Sequence, residues 1–270
     1  MDTLRLLHLL LLFLLSASVA MAALWAGQRR TGNAAVVDVG WTFGVALCAL
    51  AAAIAGDGWV GRRVAVAVMS GLWGLRLGLY LLRDRVRRRG EDPRYARLRH
   101  AWGRAADTRF FWFFQAQALA VALFAVPALL ASANPRQTHA PLELAALAIW
   151  FVAFAGELTA DRQLESFKSN RANAGRTCRV GLWRYSRHPN YFFEWLIWVA
   201  TALFASASPL GWLAFACPLL MLYLLFRVTG IPAAEAQAVQ SRGDDYRRYQ
   251  ETTSAFVPWF PRSADRRETA

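Results

Sequence analysis

The residues that could do chemistry in this chain are carboxylates, arginines and amides set into stretches that are otherwise apolar. Glu157 and Asp161 stand four residues apart and share one face of a helix, and Lys168 falls on that face two turns further on. Asp38 interrupts Val36-Val37-Asp38-Val39-Gly40-Trp41, and Arg76 interrupts another apolar stretch, so the two can pair. The densest segment is Gly181-Leu182-Trp183-Arg184-Tyr185-Ser186-Arg187-His188-Pro189-Asn190-Tyr191-Phe192-Phe193-Glu194. There a proline after His188 opens a helix with Asn190 and Tyr191 in its first turn, leaving backbone N–H groups free to meet an anion or an amide. A charge at membrane depth costs at least ~2.5 kcal/mol, so each such group needs a partner or a function. For Asp38 and Arg76 a structural ion pair is the plain alternative. For Glu157, Asp161 and Glu194, near a loop rich in arginine and asparagine, the reading is a polar cavity. Arginines take phosphates and carboxylates accept from hydroxyl or amide groups, which suits a large polar ligand.

The elements that must position these groups are membrane spans. Of 270 residues 56% are hydrophobic and 18% charged, below the quarter or so usual in a soluble domain. The apolar residues come in long blocks separated by arginine-dense stretches. The expected fold is an all-α integral membrane protein, a seven-transmembrane-helix bundle using the whole chain as one domain. Its spans lie near 4–25, 34–54, 64–82, 110–130, 142–164, 191–204 and 210–226, followed by a tail over 227–270. The first block resembles a secretory signal, but its apolar character runs on through Leu24 and Trp25, so it reads as a span. Ten arginines between Arg83 and Arg109, the basic loop Lys168–Arg187 and the basic tail fall on one side. By the positive-inside rule that side is cytoplasmic, with the amino terminus outside and the carboxyl terminus inside; Arg62 and Arg63 alone disagree. Gly71, Gly74 and Gly78 make a small-residue stripe for close helix packing. The net charge of +13 then reads as orientation and contact with membrane lipids, with no nucleic-acid partner expected. The three cysteines and four histidines are dispersed, and no metal is expected.

At these residues the chain resembles a known group, a bacterial branch of the steroid 5-alpha-reductase family. The likeness covers most of the chain: Val37-Asp38-Val39-Gly40-Trp41, Trp73-Gly74-Leu75-Arg76-Leu77-Gly78, Arg89-Gly90-Glu91-Asp92-Pro93-Arg94-Tyr95, Gln117 with Pro127, Glu157 through Leu164, the segment at 181–194, Gly230-Ile231-Pro232 with Glu235, and Asp245-Tyr246 through Pro261. The resemblance implies a seven-helix fold in the inner membrane of a bacterium. It implies an NADPH site open to the cytoplasm and reduction of a carbon–carbon double bond conjugated to a carbonyl. Glu157, Asp161, Lys168, Arg176 and Asn190 would line the cofactor site with Glu194 close by, and Arg89 and Arg227 would meet phosphates. Tyr185, Arg187, His188, Tyr191 and Glu235 complete that set. Asp38 takes the place of the family's acid, with Arg76 and Trp73 in the catalytic set; Trp73 stands where the steroid enzymes have a tyrosine. The substrate would be a lipophilic small molecule carrying an enone, and oligomeric state is left open.

Two other readings compete. Membrane methyltransferases that use S-adenosylmethionine, of the isoprenylcysteine carboxyl type, share an Arg-His-Pro-x-Tyr turn and late tyrosines, here Tyr246 and Tyr249. They usually carry paired glutamates where this chain has Ala233-Ala234-Glu235. A transporter or scaffold is the non-enzymatic alternative.

Overall fold

The computed structural model of the protein describes residues 2–86, 90–228 and 230–262. Among them every regular element is helical: α1 (Thr3–Thr31), α2 (Val36–Ala55), α3 (Val60–Leu81), α4 (Pro93–Trp102), α5 (Ala106–Ser132), α6 (Pro141–Ser169), α7 (Pro189–Ser206), α8 (Ala216–Tyr223), α9 (Ile231–Arg242) and α10 (Asp244–Thr252). Widened π-helical turns extend α3 over Leu82–Val86 and α8 over Leu224–Val228. Among the described residues six helical segments are long and apolar enough to cross a membrane: Thr3–Thr31, Val36–Ala55, Val60–Val86, Pro93–Ser132, Pro141–Ser169 and Gly211–Arg242. The remaining span expected from the sequence, over 191–204, forms helix α7 but falls short of that measure. It has eighteen residues, and Pro189, Asn190, Tyr191 and Glu194 dilute its first turns.

The helices group into two compact units, Met1–Leu144 with Ala202–Ala214, and Ala145–Thr201 with Phe215–Ala270. In the first, α5 packs along α1 and α2, and α2 along α3. Helix α1 turns Phe13, Ala17 and Met21 inward and leaves Leu4, Leu7, Leu11, Leu15 and Val19 exposed. That is a stripe at three- and four-residue spacing, suited to lipid. Trp25 donates from Nε1 to the Asp107 carbonyl (2.9 Å), and Ser18 donates to Gln115 (2.5 Å), which fixes α1 against α5. The approach of α3 to α2 is tightest at glycine. A Cβ at Gly74 would lie 2.3 Å from Ala46 Cβ, and one at Gly78 would lie 2.5 Å from the Phe43 ring. Gly71 is looser, its nearest neighbour being Leu50 at 4.0 Å.

Arg62 and Arg63, discordant in the charge pattern, are both engaged within this unit. The Arg62 and Glu143 side chains are wholly buried. The guanidinium meets the carboxylate through two bonds, Nε to Oε1 at 2.5 Å and Nη2 to Oε2 at 2.8 Å. It also donates to the Arg136 and Thr138 carbonyls and lies over the Trp59 ring, while Ala140 N–H donates to Glu143 (2.6 Å). Arg63 donates to the carbonyls of Ala53 and Ile54.

Gly74→Ala should lower stability by about 1–3 kcal/mol, because no flexible side chain can move aside, whereas Gly71→Ala should be near neutral. Thermal melting of both variants in one detergent checks the contrast. Glu143→Ala should cost about 3–5 kcal/mol by leaving a buried guanidinium without its counter-ion, read as a lowered melting temperature.

Candidate functional site

The segment singled out in the sequence is a loop held from several directions. Gly181 has a positive φ of 57°, and a Cβ there would fall 2.2 Å from the Gln163 amide, so only glycine fits. Gln163 itself accepts from Leu182 N–H (2.8 Å), and Trp183 donates from Nε1 to the Ala160 carbonyl (2.9 Å). The loop is thereby fastened to α6. On its other side the buried Tyr249 hydroxyl faces the carbonyls of Trp183 and of Ser186, the latter at 3.0 Å. The tail then crosses it like a strap: Arg187 N–H donates to the Ser254 carbonyl (2.9 Å), the Ser186 hydroxyl to the Phe256 carbonyl (2.7 Å), and Trp259 N–H to the Tyr185 carbonyl (2.9 Å).

Arg187, His188 and Glu235 were expected to contact a ligand; the structure has them meeting one another. Arg187 Nε donates to Glu235 at 2.6 Å, and its Nη1 donates to the Gln250 and Thr253 carbonyls at 2.6 and 2.8 Å. His188 Nε2 lies 3.3 Å from Glu235, which also accepts from Gln250 at 2.7 Å. With these partners in place the three residues hold α9 and α10 to the loop. Tyr191 stacks on the His188 ring (5.2 Å between centroids), and the Tyr185 ring stands edge-on to Phe260 (6.0 Å).

A second group of the expected site residues lies on α6 and α7. Glu157 and Asp161 are buried one turn apart on α6. Asn190, in the first turn of α7, donates from Nδ2 to Asp161 at 3.3 Å, and its buried Oδ1 has no hydrogen-bond partner. Glu194, also buried, accepts from Trp198 Nε1 at 2.9 Å. Lys168, Arg176 and Arg227 are exposed; Arg89 lies outside the described residues.

The first unit holds its own cluster. Asp92 caps α4 by accepting from Arg94 N–H (2.9 Å), with Pro93 at the first helical position. That start presents Arg94 and Tyr95 to Asp38 in the first turn of α2. Arg94 donates to Asp38 at 3.1 Å and Tyr95 at 2.8 Å, and Arg85, carried on the π-helical turn, donates as well. The arginines found on Asp38 are thus Arg85 and Arg94, where the sequence had offered Arg76, which is half-buried on α3. Trp73 is buried and packs edge-on to Trp41 at 5.8 Å. Asp38, expected as the acid, accepts from three donors here, one of them the Tyr95 hydroxyl. Burial would raise the Asp92 carboxyl, but hydrogen bonds and charge from Arg94, with Arg85 nearby, hold it below its ordinary value.

A family model for proteins of unknown function, DUF1295, matches residues 24–253. The chain belongs to the DUF1295 family. It is 28% identical over 263 residues to an uncharacterized protein of Schizosaccharomyces pombe, covering 87% of this chain and 75% of that one. No solved structure matches it. The DUF1295 match contains the Asp38 cluster, the α6–α7 carboxylates and the Arg187–Glu235 network. It stops one residue before the strap Ser254–Arg262 that crosses the loop.

Several residues of this DUF1295 site had no individual role in the sequence reading. Gln163 and Ser186 bond backbone groups of distant residues, and Gln250 bonds the Glu235 side chain while its carbonyl accepts from Arg187, pairings that no spacing rule reveals. Arg94 and Tyr95 were visible only as parts of a motif. Asp245 is similar: it accepts from Thr177 N–H and from Arg179, both at 2.8 Å. Burial would raise its carboxyl, but these bonds and the arginine charge hold it low. A carboxyl depressed in the folded state stabilises above the usual aspartate range and loses that effect as pH falls through its lowered value. Asp245→Asn should therefore flatten the acid-side fall in melting temperature and converge with the parent at low pH, as a pH series of melting curves will record.

Proposed function

We propose that this protein is a membrane-embedded NADPH-dependent reductase acting on the carbon–carbon double bond of a lipophilic enone. The observation that carries the reading is the buried Oδ1 of Asn190, which lacks a donor while its Nδ2 is held by Asp161. An unmet acceptor beside fixed carboxylates fits a ligand that brings amide and hydroxyl donors, as the carboxamide and ribose of NADPH do. The resemblance of these positions to the steroid 5-alpha-reductase family, and that family's kinship with DUF1295, support the same choice. In this reading Asn190, Asp161 and Glu157 hold the cofactor's donors, and the exposed Lys168, Arg176 and Arg227 meet its phosphates. The bundle has seven membrane helices counting α7, with its amino terminus outside and the cofactor site facing the cytoplasm.

When bound, NADPH supplies the electrons that reduce the double bond. The chain's own task is to stabilise negative charge forming on the carbonyl oxygen and to provide a proton. Tyr95 is suited to this: its hydroxyl is held by Asp38, and Arg85 and Arg94 place positive charge beside it. Asp38 serves as a positioning residue, orienting the phenol and the two guanidiniums.

Differential melting of the purified protein tests the proposal. NADPH should raise the melting temperature, and Asn190→Ala should weaken its binding by about 1–3 kcal/mol. Tyr95→Phe should leave that affinity unchanged while slowing turnover of an enone. Stabilisation by S-adenosylmethionine in place of NADPH would assign the site to methyl transfer, and stabilisation by neither would remove the enzymatic reading.

A further inference from the structure

The tail that closes the loop has an outer edge that meets no partner among the described residues of its own unit. Its level is set by Phe256, which is buried among Phe192 and Trp195 of α7 and Phe226 of the second π-helical turn, at centroid distances of 5.6, 5.8 and 5.2 Å. These rings belong to the first turns of α7 and to the end of an apolar helix that continues from Gly211. Phe256 thus fixes the strap where apolar helices begin and end. Directly after it, Val257, Trp259 and Phe260 are 51%, 70% and 76% exposed. They are held in place: Trp259 N–H is bonded to Tyr185, and Phe260 leans on the Tyr185 ring. The Trp259 indole N–H meets no acceptor among the described residues. Arg184 and Arg262, one on either flank of this contact, are exposed and have no carboxylate partner among the described residues.

Three large apolar side chains on a fixed, non-helical segment are unfavourable in water by roughly 25 cal/mol for each Å² of apolar surface. The same side chains suit the boundary between acyl chains and headgroups, where an indole buries its ring and keeps its N–H wet. Exposed arginines beside them match phosphate-bearing, anionic headgroups. We propose that Val257, Trp259 and Phe260 seat in the interfacial layer of an anionic bilayer, with Arg184 and Arg262 on lipid phosphates. The strap that closes the loop is then moored to the membrane. This rests on the apolar helices of the chain and is independent of the reductase reading.

The test uses the full chain, one copy per nanodisc, with lipids brominated either near the headgroup or deep in the acyl chain. Because the protein has twelve tryptophans, the signal of Trp259 is taken as the difference between the parent and Trp259→Phe. Unchanged hydrogen exchange at the Arg187 amide verifies that the variant keeps its loop. Phe260→Trp in the Trp259→Phe background is a second reporter. Both signals should be quenched more by the shallow bromines than by the deep ones. Quenching should weaken when phosphatidylglycerol is replaced by phosphatidylcholine, or in Arg184→Gln/Arg262→Gln. Signals that neither bromine quenches, with the emission of a water-exposed indole, would overturn the proposal. So would signals that shift to the blue only when two copies share a disc, since a second chain would then be the occupant. Quenching independent of lipid charge would overturn the role given to the two arginines.

Discussion

An arginine removed from water brings a charge and five N–H donors, and each of these has to be met within the protein. Arg62 and Arg187 meet that demand in the same manner, and the partly exposed Arg99 follows the same pattern. A carboxylate takes one edge of the guanidinium, and carbonyl oxygens or a side-chain amide take what remains: Glu143 with two loop carbonyls, Glu91 with Gln28, Glu235 with the carbonyls of Gln250 and Thr253. The geometry of the fork leaves little freedom in where those acceptors stand. In the second unit this has a direct structural effect. Arg187 collects acceptors from α9, from α10 and from the residue after α10, so the position of the loop before α7 follows from the position of the tail.

The α6–α7 region holds one of several buried side-chain atoms that lack a hydrogen bond among the described residues. Buried polar atoms in folded proteins nearly always have partners, and Asn190 has an oxygen that does not. Its amide cannot simply turn over, because the Nδ2 side is already engaged by Asp161. The Asp38 cluster differs in another way. Its charges balance, two guanidiniums against the carboxylates of Asp38 and Asp92, but its geometry leaves one neutral donor, the Tyr95 hydroxyl, bonded to the central acid.

Much of this was legible in the chain. The apolar blocks became helices close to their expected limits, and Pro189 opened α7 as its position required. Gly74 and Gly78 mark the close approach of α3 to α2 for the reason their spacing suggested. What could not be read was which polar groups would bind one another. Arg187 and Glu235 are separated by 48 positions and Asp38 and Tyr95 by 57, and no local periodicity connects residues so far apart. The bonds that Arg187, His188 and Gln250 make to Glu235 were therefore not legible in the spacing of these residues. The discordance of Arg62 in the charge pattern had a similar origin, since a positive-inside count treats every arginine as free.

The bond from the Ser186 hydroxyl to the Phe256 carbonyl joins residues 70 positions apart, and this bears on the order in which the protein is made. Chains emerge from the ribosome from the amino end, so α7 exists before the residues that secure the turn leading into it. Until Ser254–Trp259 has been synthesised, the Ser186 hydroxyl and the Arg187 and Tyr185 backbone groups can only be solvated. The turn that leads into α7 is thus completed by a stretch translated 70 residues later, so α7 is made before that turn can take its final shape.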